Sequence, residues 1–93
     1  MRVKFWIPTS LTLMTDGRSH VDVEVSSGTL RSSLEALFLA CPALRDRVLT
    51  EQGEVREHVN VFVGNAIARS TGGLATPVVD GAEISIIPAI SGG

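Results

Sequence analysis

Few residues in this 93-residue chain combine a type and a spacing that could do chemistry. Glu51, Glu54 and Glu57 cluster around Gly53 in a polar stretch and read as a solvated loop, the usual place for such side chains. His20 and His58 lie far apart in sequence and lack an obvious partner. Together with the single Cys41 they are too few for a structural zinc site. Cys41 falls on the apolar stripe of a helix, which marks a packed core thiol rather than a nucleophile. Gly72-Gly73 lacks the lysine of a phosphate-binding loop and opens no clear helix. It reads as a flexible turn before Leu74, which is expected to plug the end of the core. Gly92-Gly93 remains. A terminal carboxylate is a poor electrophile until it is activated. Two residues without side chains fit a narrow channel and permit backbone angles that other residues avoid.

The elements that must present this terminus follow from hydrophobic periodicity. Val3, Phe5 and Ile7 alternate with Arg2, Lys4 and Trp6, a period-2 strand that breaks at Pro8-Thr9-Ser10. Val21, Val23 and Val25 alternate with Asp22 and Glu24 after the Asp16-Gly17 turn, so the first two strands form a hairpin with a longish loop. Thr29 or Ser27 can cap a helix. Leu30, Leu34, Leu37, Phe38 and Cys41 then share one helical face, and Pro42 ends the helix. Residues 43–50 add a short second helix with Leu44 and Val48 inward, and Glu51 to Glu57 form a loop. Val59, Val61 and Val63 make a third strand. Ile67 lies in a short fourth strand after Gly64-Asn65, and Ser70 to Asp80 is irregular. Glu83 to Ile87 is the last strand, ended by Pro88, so that residues 89–93 project as a mobile arm. A hairpin, a helix laid across it and further strands give an α+β roll: one sheet covered on one face by a helix.

Composition bounds the function. Apolar residues are 44% and charged residues 19%, enough to fill the core of one small domain. A net charge of −2 argues against a general nucleic-acid binder. No apolar run approaches the roughly 18 residues of a membrane span. The start of the chain does not read as a secretory signal. With a lone thiol, the cytoplasm is the expected location.

Several motifs together resemble the ubiquitin-like sulfur carriers of the ThiS/MoaD type. They are Val59-Asn60-Val61-Phe62-Val63, Gly73-Leu74-Ala75-Thr76, Asp80-Gly81, and Ile86-Ile87-Pro88-Ala89-Ile90-Ser91-Gly92-Gly93. The Ile7-Pro8-Thr9 start and the Gly-Gly-Leu-Ala-Thr loop are most similar to the branch that supplies sulfur for cysteine biosynthesis. The resemblance implies a β-grasp fold in which the first strand is central between the second and the last, with the third beyond the last. It implies no catalytic or metal site and no bound cofactor in this chain. An E1-like enzyme using ATP and magnesium would adenylate the Gly93 carboxylate, and sulfur would displace AMP to leave a thiocarboxylate. Gly92 and Ser91 would enter the partner's active site. The acceptor would be an activated serine on a pyridoxal-phosphate (PLP)-dependent synthase, and a metalloprotease would release the new cysteine. Carriers for molybdopterin, thiamin or secondary-metabolite sulfur, and protein modifiers that form isopeptide bonds, remain alternatives.

Strand parity adds a docking surface. If Val3, Phe5 and Ile7 face the helix, Trp6 faces away, and the same parity turns Phe62 and Ile87 outward. With the strand order that the resemblance supplies, Trp6, Phe62 and Ile87 form one apolar patch for the activating partner. The alternative is that Trp6 or Phe62 packs under the loops at 8–19 or 70–79. Asp80 and Glu83 could add charge pairing to a basic partner.

Overall fold

The computed structural model describes residues 1–88. The strands are β1 (Arg2–Trp6), β2 (His20–Glu24), β3 (Val59–Val63), β4 (Ala66–Ile67) and β5 (Glu83–Pro88), and the helices are α1 (Leu30–Ala40) and α2 (Arg45–Val48). They build one five-stranded sheet in the order β2-β1-β5-β3-β4. β1 and β5 run parallel, and the other neighbours are antiparallel. This is the expected β-grasp order, with β4 added at the edge.

The sheet buries one face because its strands alternate. Val3, Phe5, Val21, Val23, Val59, Val61, Ile84 and Ile86 all point into the core. The helix α1 closes that core with Leu30, Leu34 and Leu37, each essentially inaccessible, while Phe38 is half-buried. Thr29 caps α1. Its backbone is extended, and its Oγ1 accepts the Ser32 N–H at 3.2 Å. After the C-cap residue Cys41, Pro42 opens a 3-10 turn (Pro42–Leu44) that leads into α2, and both Leu44 and Val48 are fully buried as their spacing predicts.

Two local readings change. The connection after β1 is not simply a loop: Thr9–Thr15 forms a 3-10 helix. Hydroxyls spaced three apart support it, since Thr12 donates to the Thr9 carbonyl and Thr15 to the Thr12 carbonyl. Leu11 and Thr15 are thereby buried. Pro88 does not stop β5 from outside; it occupies the last rung, opposite Val59. A proline is tolerated there because β1 has already ended, its pairing reaching only Trp6 opposite Ser85, so no strand on that side needs an N–H from residue 88.

Candidate functional site

The site begins with the sheet face that α1 leaves uncovered. The registers Trp6–Ser85 and Phe62–Ser85 place Trp6 and Phe62 on either side of Ser85 in one rung across β1, β5 and β3. Ile87 lies two residues further along β5, opposite Asn60. All three side chains therefore share the outer face. Trp6 is 40% exposed and Ile87 47%, while Phe62 is half-buried.

Polar neighbours fix the Trp6 ring. Its indole Nε1–H donates to Glu83 Oε1 at 2.6 Å. The Lys4 Nζ stands 5.4 Å from the ring centroid, close enough for a cation–π contact. His20 lies across the ladder with ring centroids 5.6 Å apart. An aromatic ring held on three sides loses little freedom when a partner covers it, as an interface anchor requires. Glu83 is engaged by Trp6, and Asp80 Oδ1 accepts the Arg2 N–H at 2.8 Å, so both carboxylates already hold donors from this chain. Sequence reading missed Glu83 as the partner of Trp6. The signal was available, because a parallel β1–β5 pair brings residues 83–85 beside residues 4–6.

The 68–78 segment is more built than a flexible turn. Gly72 and Gly73 adopt φ of 120° and 61°, conformations that suit glycine, and introduce a 3-10 turn (Gly73–Ala75). Thr76 is buried at its centre. Its hydroxyl donates to the Gly73 carbonyl at 2.6 Å and also meets Thr71 Oγ1 at 3.0 Å and the Ala68 carbonyl at 3.3 Å. The Thr76 carbonyl accepts the Leu30 N–H, so the segment is tied to the start of α1. Leu74 is partly buried against the core, as expected of a plug. Gly28 allows the closest approach. A Cβ there would stand 2.8 Å from the Val78 carbonyl oxygen.

The remaining candidates are placed as surface or core. His20, His58, Glu51, Glu54 and Glu57 are exposed. Cys41 is buried, with Arg18 Nη2 donating to its sulfur at 3.7 Å. Among the described residues, no three His, Cys, Asp or Glu side chains gather as a metal site. No helix among them is long and apolar enough to cross a membrane. Ser91, Gly92 and Gly93 lie outside the described residues.

The whole architecture recurs in known proteins, and residues 11–93 match the ThiS family. The sulfur carrier protein CysO of Mycobacterium tuberculosis is 33% identical over 96 residues, covering all of both chains. The chain belongs to the ThiS family. It is a ubiquitin-like sulfur carrier of the β-grasp kind. The small archaeal modifier protein 1 of Haloferax volcanii is 36% identical over 74 residues, covering 80% of this chain and 79% of that protein. The solved BexX/CysO complex of Amycolatopsis orientalis contains a chain that superposes with a TM-score of 0.87 at 30% identity, covering 98% of this chain and 99% of that one. That CysO is thus seen bound to a second protein. In this ThiS-family chain, Ile87 lies on β5, the last described strand before residues 89–93, and Trp6 on the neighbouring β1.

Proposed function

We propose that this carrier delivers sulfur from a Gly93 thiocarboxylate to an acceptor in cysteine biosynthesis. The full-length similarity to CysO carries the reading, supported by the Ile86-to-Gly93 sequence. The Gly93 carboxylate attacks the α-phosphorus of ATP on an E1-like enzyme, with magnesium, and pyrophosphate leaves. A sulfur nucleophile then displaces AMP from the acyl adenylate and leaves the thiocarboxylate. This chain is the co-substrate and not the enzyme. Ser91 and Gly92 pass into the partner's channel while Trp6, Phe62 and Ile87 dock against its surface. The acceptor is an activated serine on a PLP-dependent synthase, and a metalloprotease frees the product cysteine from the adduct. These reactions place the carrier in the cytoplasm, where ATP is available.

The test is intact mass after incubation with ATP, magnesium, a sulfide source and the host's activating enzyme. The expected product is heavier by the difference between one sulfur and one oxygen, and a chain lacking Gly93 shows no gain. An unchanged mass with a demonstrably active enzyme overturns the reading. A second reading has a specific observation in its favour, the similarity to an archaeal modifier protein. The same acyl adenylate would then be attacked by a lysine amine, and target conjugates would appear in place of the thiocarboxylate. Lys4 is the only lysine in this chain, which leaves one position for linking copies to each other.

A further inference from the structure

A second surface lies on the opposite flank of β3 from β5. Among the described residues β4 pairs with Phe62 and Val63, and the first half of β3 has no ladder partner on that side. Beside it lies a largely apolar cavity of about 80 Å3, lined by Val55, Val59, Val61, Ile67, Ala68 and Gly73 together with Arg69. That is several times the volume of roughly 10–15 Å3 a single water requires, and apolar walls give water few partners. The cavity shares Val55, Val59 and Arg69 with a neighbouring depression lined also by Arg56 and Glu57. Both arginines are exposed. Arg56 donates its Nε to the Asp46 carbonyl at 2.7 Å, and Arg69 donates to the Asn60 side-chain oxygen. Among the described residues neither arginine forms an ion pair with a carboxylate. The rim thus carries two guanidiniums against the one carboxylate of Glu57, in a chain whose overall charge is −2.

We infer that this pocket binds an extended segment of a partner protein that places an aliphatic side chain in the cavity, with carboxylates on either side against Arg56 and Arg69. Charge decides the occupant's class, since an acidic flank satisfies the guanidiniums and a basic one is repelled. An open strand edge suits an extended backbone. Position adds to this. Val59, which lines both the cavity and the depression, is the residue opposite Pro88, the last position before residues 89–93. A segment seated here therefore belongs to a protein that handles that terminus, and only this clause rests on the proposed function.

The probe is an acetylated, amidated peptide of sequence Asp-Leu-Glu-Leu-Asp, titrated into the labelled full chain while backbone amide shifts are followed by NMR. The expected shifts centre on Val55, Val59, Val61 and Arg69. They weaken with added salt and with the Asn/Gln version of the peptide. Arg56→Gln and Arg69→Gln each reduce affinity about two- to fivefold while the spectrum stays that of the folded chain. In the thiocarboxylation assay the same variants raise KM and leave kcat unchanged. Peptide shifts confined to the Trp6 and Ile87 face, or none at the highest soluble peptide concentration, overturn the inference. So does a chain truncated after Pro88 whose Val55 and Val59 amides move without peptide, because the occupant would then be the chain's own terminus. Peptide binding without thiocarboxylation of the wild type would remove the proposed function and leave the pocket standing.

Discussion

Replacing Trp6 by alanine separates docking from folding. The side chain is 40% exposed, so of the roughly 250 Å2 a tryptophan can bury, about 100 Å2 is left for a partner to cover. At ~25 cal/mol per Å2 that area is worth about 2.5 kcal/mol, or a factor of about 70 in affinity. This is a ceiling, because association also costs side-chain freedom and desolvation of Glu83 and Lys4. The expected rise in KM for the activating enzyme is therefore about 10- to 70-fold, with kcat nearly unchanged because the terminus is chemically intact. The fold loses the exposed hydrogen bond to Glu83, the Lys4 and His20 contacts and the burial of the remaining roughly 150 Å2 of the side chain, at most about 4 kcal/mol at ~25 cal/mol per Å2. The assay is mass-spectrometric initial rates of thiocarboxylation across carrier concentrations, paired with urea unfolding. A KM change below about threefold in a folded variant would show that the anchor was misassigned. A variant that no longer folds in the absence of urea would show that Trp6 belongs to the core.

Three further changes probe the scaffold. Thr76→Val keeps the shape but removes the hydroxyl that joins Gly73, Ala68 and Thr71. It should lower unfolding free energy by about 1–2 kcal/mol and speed amide exchange between residues 68 and 78; unchanged exchange there would reject the hub. Gly28→Ala forces its new carbon towards the Val78 carbonyl at 2.8 Å, and a loss of about 1–3 kcal/mol is expected in denaturant titration. A neutral result would mean that the 77–78 segment yields freely. Thr29→Ala removes the α1 cap and should lower the urea midpoint by the equivalent of about 1 kcal/mol, whereas Thr29→Ser should retain most of it.

The sequence revealed those parts of the fold in which one face is wet and the other dry. Val3/Phe5/Ile7, Val59/Val61 and Leu30/Leu34/Leu37 each announce a period, and each is buried as that period requires. The same parity turned Trp6 and Ile87 outward. The strand order came from motif resemblance, since nothing in alternation alone says that the first and last strands are neighbours. The 3-10 helix at Thr9–Thr15 was hidden because its support is threonine hydroxyls bonding back three residues, a signal that hydrophobic periodicity does not carry. Thr76 was visible as a motif residue, but its burial depends on three carbonyl and hydroxyl groups brought together by the 68–76 turns. The Arg56–Arg69 rim was invisible for a different reason. The two side chains meet only because β4 is two residues long and returns the chain beside the start of β3.

The parallel pairing of β1 with β5 would let the proposed docking face and the proposed reactive terminus act as one unit. Two parallel strands end at the same side of a sheet, so the end of β1 and the end of β5 point the same way. Trp6 is level with Ser85, and Pro88 lies three residues further on, about 10 Å at ~3.3 Å per residue. The five residues after Pro88 span at most about 17 Å when extended. A partner that grips Trp6 and Ile87 thus has its catalytic centre within a fixed radius of its contact surface, and the carrier needs no other means of measuring that distance. An antiparallel arrangement would place the anchor at the far end of β5 and lose this. Length should therefore matter as much as chemistry. Inserting two glycines after Pro88 keeps the patch and the terminal pair intact but lengthens the reach by about 7 Å. Patch binding, measured with an inactivated partner, should stay within about twofold while kcat for thiocarboxylation falls at least tenfold. An insertion variant that turns over at the wild-type kcat would show that the partner measures no distance from the patch, and the coupling of anchor and terminus would have to be given up.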